Sequence, residues 1–408
     1  MTLQQFLNSS YTAYHTVANA QGILQKHGFT ELTLGSPWHL ARGGKYYVIR
    51  NGSSIVAFSV GAGNFFSVCE SHTDSPAFKV KGSKVATGES ANRLNVEKYG
   101  GGLWHTFMDR PMKVAGRLIT EQADGSLKQT LVASKYNVIM PSVAIHLNPS
   151  ANESLSLNAQ TDMQPLFGQG EQDLYFSLTD EKVVDGDLFV VPAADSFLAG
   201  TNGEFLCSAR LDNLTSVYAQ IQALVGCNPC GIAVCACLDN EEVGSGTVQG
   251  SPNFINDVLH CICNGLDLNQ TEELHARERG LVVSVDNGHG LHPAHPELAD
   301  PLYKTILNGG IIIKHHVNYS TDGMSAAILK KIMNDAQVKY QESFNKSDVR
   351  CGTTLGLATS RALGMKTIDI GIPQLAMHSA CETCGLADVE QMQKCLAAVW
   401  QSNLLGAE

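Results

Sequence analysis

GIAVCACLDNEEVGSGTVQG (residues 231–250) is the stretch from which the fold of this chain can be predicted. Its first part, residues 231–238, is a short apolar run that predicts a strand buried on both faces of a covered sheet. Residues 239–242, DNEE, follow at once and lead into a glycine-rich turn. Three carboxylates at the end of a buried strand need cations, hydrogen bonds or shifted pKa values to compensate their repulsion and lost hydration. The plainer alternative is a solvated acidic turn.

The composition is that of a globular protein with two domains. The chain has 408 residues, of which 44% are hydrophobic and 16% charged, and 408 residues exceed the usual size of a single core. The formal net charge of −11 and the lack of a basic run argue against nucleic acid or a membrane surface as a partner. No apolar stretch reaches the roughly 18 residues of a membrane span. The N-terminus does not resemble a signal peptide, so we expect a cytoplasmic protein.

The twelve cysteines allow three interpretations. CNPC (227–230) and CETC (381–384) have the CxxC spacing of zinc ribbons and redox pairs. Other cysteines lie in apolar runs, where the side chain behaves as a small core residue. Core packing is the interpretation we favour over a structural four-cysteine zinc site or incidental thiols, so we do not expect the cysteines to carry the chemistry.

A second buried strand, within FFSVCESHTDSPAFKVKG (65–82), ends in histidine and aspartate. Residues two apart on an extended backbone face the same way, so His72 and Asp74 project to one side. A carboxylate beside a metal-bound imidazole fixes its tautomer and raises its basicity. The alternative is a surface turn that ends at Pro76.

The character of the sequence changes between about residues 90 and 205. Short alternating apolar patterns predict several β-strands, and a polar stretch follows around 148–173. Because apolar positions recur and no low-complexity run occurs, we predict an inserted domain at 90–205. The main domain is then formed by residues 1–89 together with 206–408.

Three further segments of the main domain carry ligand-type residues. Asp212 precedes a helical pattern, where a helix N-cap is the ordinary role of an aspartate. Another buried strand ends at Asp286, with His289 close behind it. A later strand runs into LAMHSACE, which carries His378.

These strand ends predict a metal centre. Open α/β sheets bind ligands at the carboxyl ends of their strands, so the side chains can converge there. Histidines together with carboxylates suit a divalent ion, most commonly zinc. The five ligand positions are too many for one catalytic zinc, but they suffice for two ions about 3.5–4 Å apart if one carboxylate bridges. One member of the pair Glu241 and Glu242 is then left over as a general base for a bridging water.

Seven motifs occur in order along the chain and together resemble the aspartyl aminopeptidase family of binuclear zinc metallopeptidases. The resemblance covers essentially the whole chain. The motifs are SHTDSP (71–76), VEKYGGGLWHTFMDR (96–110), RLDNL (210–214), DNEEVGS (239–245), VDNGHGLHP (285–293), CGTTLG (351–356) and PQLAMHS (373–379). The sequence departs from the family pattern in NGHG after Asp286 and in the cysteine-rich CETCG after His378.

The resemblance implies a role for each candidate residue. One zinc is held by His72, Asp212 and Asp286, and the other by the bridging Asp212, Glu242 and His378. Glu241 is the implied general base, and Asp74 orients His72. Two Zn²⁺ per subunit are implied, for which Co²⁺ or Mn²⁺ can substitute.

The resemblance also implies an architecture and an assembly. The fold is α/β, a mixed sheet sandwiched between helices, with the insert as a dimerisation domain. Such enzymes form homo-oligomeric shells of twelve subunits. His146 matches a histidine that reaches into the neighbouring subunit's active site, whereas the alternative is a core histidine on a β-strand.

The sequence offers one indication of substrate preference, the residue Lys314. Lys314 matches a family lysine in the pocket for the substrate's first side chain, which predicts peptides with Asp or Glu at the N-terminus. A lysine at the end of a buried strand otherwise extends to solvent. We also expect His289 to contact the substrate. The competing functions are a related aminopeptidase with neutral or basic preference and a non-catalytic shell or cargo protein of the same fold.

Overall fold

Eight α-helices occur in the computed structural model, which describes residues 1–405. Two lie at the N-terminus, and the other six follow residue 210. They are α1 (Leu3–Ser9), α2 (Ala13–Lys26), α3 (Leu211–Gly226), α4 (Asn253–Gly265), α5 (Gln270–Glu278), α6 (Gly323–Asp335), α7 (Leu355–Leu363) and α8 (Leu386–Gln401).

A mixed sheet of nine strands forms the centre of the main domain. In spatial order its strands are β1 (Thr30–Glu31), β2 (Lys45–Arg50), β3 (Ser54–Val60), β13 (Ile232–Leu238), β4 (Phe66–His72), β14 (Leu281–Val285), β18 (Thr367–Gly371), β16 (Ile311–His315) and β17 (Tyr340–Phe344). The three central strands β13, β4 and β14 run parallel, whereas β3 pairs with β13 and β16 pairs with β18 in the antiparallel sense.

The predicted strand at 231–238 is confirmed as β13, and every one of its residues is buried. Alternate side chains enter two different cores, because successive residues of a strand point to opposite faces of the sheet. Cys235 and Cys237 pack with α2, α3, α6 and α8 on one face. Val234 and Ala236 pack with α4 and α7 on the other face. Helices therefore cover both faces, which confirms the predicted α/β fold.

Six strands form a second sheet with a core of its own. In spatial order they are β8 (Leu127–Ala133), β7 (Met112–Glu121), β10 (Val183–Pro192), β5 (Ala77–Ala86), β6 (Asn92–Tyr99) and β9 (Leu166–Gly168). All pairings in this sheet are antiparallel. Five of the strands lie within the segment 90–205, and β5 precedes that segment.

A third sheet connects the end of the insert to the C-terminal part of the chain. Its spatial order is β11 (Phe197–Ala199), β12 (Phe205–Ser208), β20 (Glu382–Gly385), β19 (Pro373–Leu375) and β15 (Gly288–His289). Strand β12 leads directly into α3, and it pairs with β20 so that Ser208 lies opposite Glu382. This pairing brings the start of α3 next to the loop between β19 and β20.

Two further observations concern partners and cysteines. Among residues 1–405, no helix is both long enough and apolar enough to cross a bilayer.

All twelve cysteines are free thiols, and most are buried. Within the described chain, the groups of side chains that could hold a metal ion contain no cysteine, in agreement with core packing as their main role.

Candidate metal centre

Four of the candidate residues lie at one edge of the central sheet, at the ends of three neighbouring parallel strands. His72 is the last residue of β4, and Asp286 directly follows β14. Glu241 and Glu242 lie in a short 3-10 helix, Glu241–Val243, just after β13. Because β13 and β14 flank β4 in parallel, their carboxyl ends lie side by side.

The other two candidate ligands come from the third sheet. Asp212 lies at the start of α3, directly after β12, and is buried. His378 lies in the loop between β19 and β20, with a left-handed φ of 66°. The pairing of β12 with β20 places these two residues close together although they are far apart in the sequence.

The Asp212 carboxylate lies between the two histidines. Its Oδ1 is 3.4 Å from His72 Nε2, and its Oδ2 is 3.4 Å from His378 Nε2. His72 Nε2 is also 3.4 Å from Asp286 Oδ1, and His378 Nε2 is 3.3 Å from Glu242 Oε1. The five residues therefore form two triads that share Asp212.

These distances fit metal coordination better than hydrogen bonding. Hydrogen bonds between N–H and O are usually about 2.7–3.2 Å long. Ligand atoms about 2.0–2.1 Å from a tetrahedral zinc are separated by about 3.3–3.4 Å. Asp212 Oδ1 and Glu242 Oε1 are buried without a hydrogen-bond partner among the described residues. Nitrogen and oxygen donors in this arrangement fit two zinc ions, with Asp212 as the shared ligand.

The electrostatics of the site also favour cations. Burial raises the pKa of Glu241 to about 7; the nearby His72 opposes this shift, and Asp286 adds to it. The pKa of Glu242 lies well above its usual range, again because of burial. Burial lowers the pKa of His72, but its carboxylate neighbours outweigh this effect and raise it. Divalent cations among these groups would stabilise the ionised carboxylates.

Asp74 stabilises the site through contacts with His72 and with the turn that carries Glu241 and Glu242. Its backbone carbonyl oxygen is 3.1 Å and its carboxylate Oδ1 3.4 Å from His72 Nδ1. The carboxylate also accepts the backbone N–H groups of Glu241 at 3.1 Å and Glu242 at 3.2 Å. The Tyr99 hydroxyl donates to Asp74 Oδ2 at 2.6 Å. Asp74 therefore connects His72 to the turn that carries both glutamates.

Sequence analysis missed three groups that hold the ligands in place. Tyr99 comes from β6 of the second sheet, and the glycine run that follows it, YGGG, was the available signal. The carbonyl oxygen of Gly101 lies 3.1 Å from His378 Nδ1. The buried Glu382 accepts the backbone N–H groups of Asp212 and His378. Its spacing of four residues from His378 was the only hint in the sequence.

A cavity of about 470 Å³ opens in front of the two triads. Lys314 lines it and is buried, so the expectation that its side chain extends to solvent is wrong. Its Nζ donates to the carbonyl oxygen of Asn287 at 2.8 Å and lies 3.5 Å from Asp286 Oδ2. His289 lines the same cavity without belonging to either triad.

His146 does not reach the metal centre of its own chain. It lies in an exposed turn closed by a hydrogen bond from Leu147 N–H to the carbonyl oxygen of Ala144. It does not line the cavity around the triads. The alternative of a core histidine on a β-strand is therefore wrong as well.

Comparison with known proteins identifies the family. The model of the family described as aminopeptidase I zinc metalloprotease (M18) matches residues 6–175 and 174–400. A probable M18 family aminopeptidase 2 of Clostridium novyi is 36% identical over 409 residues, covering 95% of this chain and 94% of the relative. The protein of the same name from Pseudomonas aeruginosa is 35% identical over 425 residues, covering 99% and 98%.

A solved structure agrees. A chain of the cryo-EM structure of the Ape4 and Nbr1 complex superimposes with a TM-score of 0.92 and 33% sequence identity. The match covers 99% of this chain and 85% of that one. These similarities confirm the resemblance seen in the sequence: the chain belongs to the M18 family of zinc aminopeptidases.

Proposed function

We propose that this protein uses two zinc ions to remove Asp or Glu from the N-terminus of peptides. The observation that carries the proposal is the position of Asp212, whose two carboxylate oxygens each lie 3.4 Å from a different histidine. A carboxylate so placed can bind two ions at once. His72 and Asp286 would complete one zinc site, and Glu242 and His378 the other.

The proposed chemistry is hydrolysis with Glu241 as general base. When bound, zinc supplies Lewis-acid polarisation of the scissile carbonyl and acidifies water. Glu241 belongs to neither of the triads that share Asp212, although it forms a third possible group with His72 and Glu242. Because the two triads already supply both proposed zinc sites, we assign Glu241 the role of accepting a proton from water. It can then donate that proton to the leaving amine. Asp74 supports Glu241 by accepting its backbone N–H.

The preference for acidic N-terminal residues rests on Lys314. Its side chain is 5% exposed and lines the cavity of the metal centre. A buried cation is stabilised when an anion approaches it. The side-chain carboxylate of an N-terminal Asp or Glu supplies such an anion, whereas a Leu or Lys side chain does not. His289, on the same cavity wall, is the second proposed substrate contact.

The insert at 90–205 is proposed to form a dimer interface. Its turn around His146 carries three apolar side chains that are exposed in the single chain, Val143 at 58%, Ile145 at 47% and Leu147 at 80%. An exposed apolar patch of this kind favours contact with another protein surface. A second copy seated there would receive His146 at its active site. The dodecameric number and the cytoplasmic location stay predictions.

A substrate panel that tests the proposed acidic preference also tests the two competing functions. A related aminopeptidase with neutral or basic preference would have the same triads but would not depend on Lys314. A non-catalytic shell protein is disfavoured because all five proposed ligands converge and Glu241 is present beside them.

A substrate panel distinguishes these functions. We expect a higher kcat/KM for Glu- and Asp-anilides than for Leu- and Lys-anilides. Expressed as a difference in activation free energy, the preference for acidic over neutral and basic substrates should shrink by about 1–3 kcal/mol in the variant Lys314→Met. This is the contribution of a charge-assisted hydrogen bond. Lys304→Met, an exposed lysine outside the cavity, is the matched control and should leave the gap unchanged. Elemental analysis of each variant establishes that zinc is retained. A panel in which neutral or basic substrates win would refute the acidic preference.

A further inference from the structure

A second cavity, of about 340 Å³, lies on the far side of Asp74 from the metal centre. It is bounded by the start of α2, the strands β5 and β10 of the second sheet, and the polar turn after β13. It shares no lining residue with the cavity of the metal centre. Its volume falls within the roughly 300–1,000 Å³ of small-molecule sites.

The second cavity contains charges of both signs. Its charged lining residues are three bases and three acids, Lys79, Arg117 and Arg210 together with Asp74, Asp187 and Asp239. Asp187 pairs with both Arg117, at 3.0 Å, and Lys79, at 3.5 Å. Because one acid pairs with two bases, the trio of Lys79, Arg117 and Asp187 carries one net positive charge, although the six charged lining residues balance as a set.

Arg210 adds a buried cation that forms no ion pair with an acidic side chain of the described chain. The residue is 8% exposed, and its Nε has no hydrogen-bond partner among residues 1–405. Its hydrogen bonds are long, 3.5 Å from Nη1 to the carbonyl oxygen of Pro192 and 3.4 Å from Nη2 to that of Leu7. The guanidinium carbon also lies 5.9 Å from the centroid of the Tyr11 ring. A buried guanidinium with incomplete hydrogen bonding is costly unless an anion completes it.

Asp239 is a buried acidic side chain that forms no ion pair in the described part of the chain. It is 5% exposed and accepts the backbone N–H of Asn240 at 2.7 Å. It forms no ion pair with a basic side chain of the described chain, including the bases of its own cavity. One cavity therefore holds a buried guanidinium and a buried carboxyl group that do not pair with each other. Burial, and the nearby charge of Asp74, raise the pKa of Asp239 to about 7, so a cationic group placed beside it would favour its ionised form.

A single ligand can compensate both charges. We propose that this cavity binds the zwitterion of a free α-amino acid with an apolar side chain. Its carboxylate would meet Arg210 and Lys79, and its ammonium group would meet Asp239. The rings of Tyr11 and Phe189 and the side chain of Val191, which also line the cavity, suit an apolar side chain.

Calorimetric titration of the zinc-loaded, full-length protein with L-leucine tests this site. We expect one leucine site per chain whose Kd rises about tenfold in Arg210→Gln, the loss of one charge-assisted hydrogen bond. Lys79→Met should weaken binding in the same direction, and it covers the case in which the buried arginine variant does not fold. Lys81→Met is the matched control, because Lys81 lies on the same strand outside the cavity.

Ligand analogues and a metal-centre variant complete the test. 4-Methylpentanoate lacks the ammonium group and isopentylamine lacks the carboxylate, so both should bind at least about tenfold more weakly than leucine. Glu242→Gln should leave leucine binding at this site unchanged. Leucine binding that is lost in Glu242→Gln but kept in Arg210→Gln and Lys79→Met would place leucine at the metal centre and overturn the inference, as would the absence of binding. Because binding is measured directly, the result is independent of the proposed acidic preference.

Discussion

The Glu382 carboxylate fixes the backbone of Asp212, whose N–H donates to Glu382 Oε2 at 3.0 Å. The other oxygen, Oε1, accepts the N–H of His378 at 2.6 Å. One buried carboxylate thus fixes the positions of two proposed ligands, the shared Asp212 and His378 of the second triad. It also stabilises the left-handed backbone of His378, which is uncommon for a residue other than glycine.

The variant Glu382→Gln should weaken zinc binding by about 10- to 100-fold, as is typical when a group that orients metal ligands is changed. Glutamine keeps the shape but replaces one acceptor oxygen by an NH₂ group, which cannot accept a backbone N–H. Competition with a chromogenic chelator measures the zinc Kd. Glu278→Gln, at an exposed carboxylate far from the site, is the control. Unchanged zinc affinity in a folded Glu382→Gln protein would remove the proposed positioning role.

The adjacent glutamates should behave differently on substitution. Glu241→Gln should retain two zinc ions per chain and lose about 10²- to 10⁴-fold in kcat, the usual contribution of a general base. Glu242→Gln should lose zinc, because Glu242 Oε1 faces His378 Nε2 at 3.3 Å. Elemental analysis and steady-state kinetics on the same preparations separate the two effects. If Glu241→Gln kept near-normal turnover, the base would have to be another residue.

His146 should act on the partner subunit. His146→Ala and Glu241→Gln homo-oligomers should each have low activity, but mixed oligomers should recover part of it. Recovery is expected because some sites then combine an intact Glu241 with an intact His146 from the neighbouring chain. The experiment requires mixed assemblies verified by differential tagging. Mixed oligomers as inactive as their parents would contradict sharing of the active site between chains.

His15 should make the protein less stable in mild acid. Burial, and the nearby positive charge of Arg210, lower the pKa of His15 to about 4. As the pH falls below about 6.5, the unfolded chain binds a proton at this ring while the folded chain does not, so stability decreases. The loss between pH 7 and pH 5 is at most about 2 kcal/mol, and solvent screening of the partly exposed ring reduces it.

His15→Gln removes this titration and keeps a polar side chain next to Thr12, whose hydroxyl is 2.9 Å from His15 Nδ1. Urea unfolding at pH 7 and pH 5 should therefore show a smaller pH effect for His15→Gln than for the unchanged protein. His39→Gln, at an exposed histidine, should leave the pH effect as it is. An equal decrease in His15→Gln and the unchanged protein would assign the acid sensitivity to other groups.

Much of the site could be predicted from local sequence. An apolar run followed by polar residues predicts a buried strand with an exposed end, because both features depend on residues that are neighbours in the sequence. Strands β13 and β4 are the examples here. The same reasoning found four of the five members of the two triads, and Asp212 was singled out as a carboxylate at the start of a helical pattern. It did not find Tyr99, because that residue lies on a strand of the second sheet and reaches Asp74 only after the two sheets pack.

The α/β class, the family and the residue types of the candidate metal centre could be predicted from the sequence, since strand periodicity and ordered motifs are properties of the linear chain. The tertiary structure was needed to establish which oxygen of Asp212 faces which histidine, and that Lys314 is buried. It also decided that Glu382 supports two ligands, and that Arg210 and Asp239 share a cavity without pairing. The physical reason is that hydrogen bonds and charge interactions act over a few ångströms, and the pairing of distant strands such as β12 and β20 sets those distances.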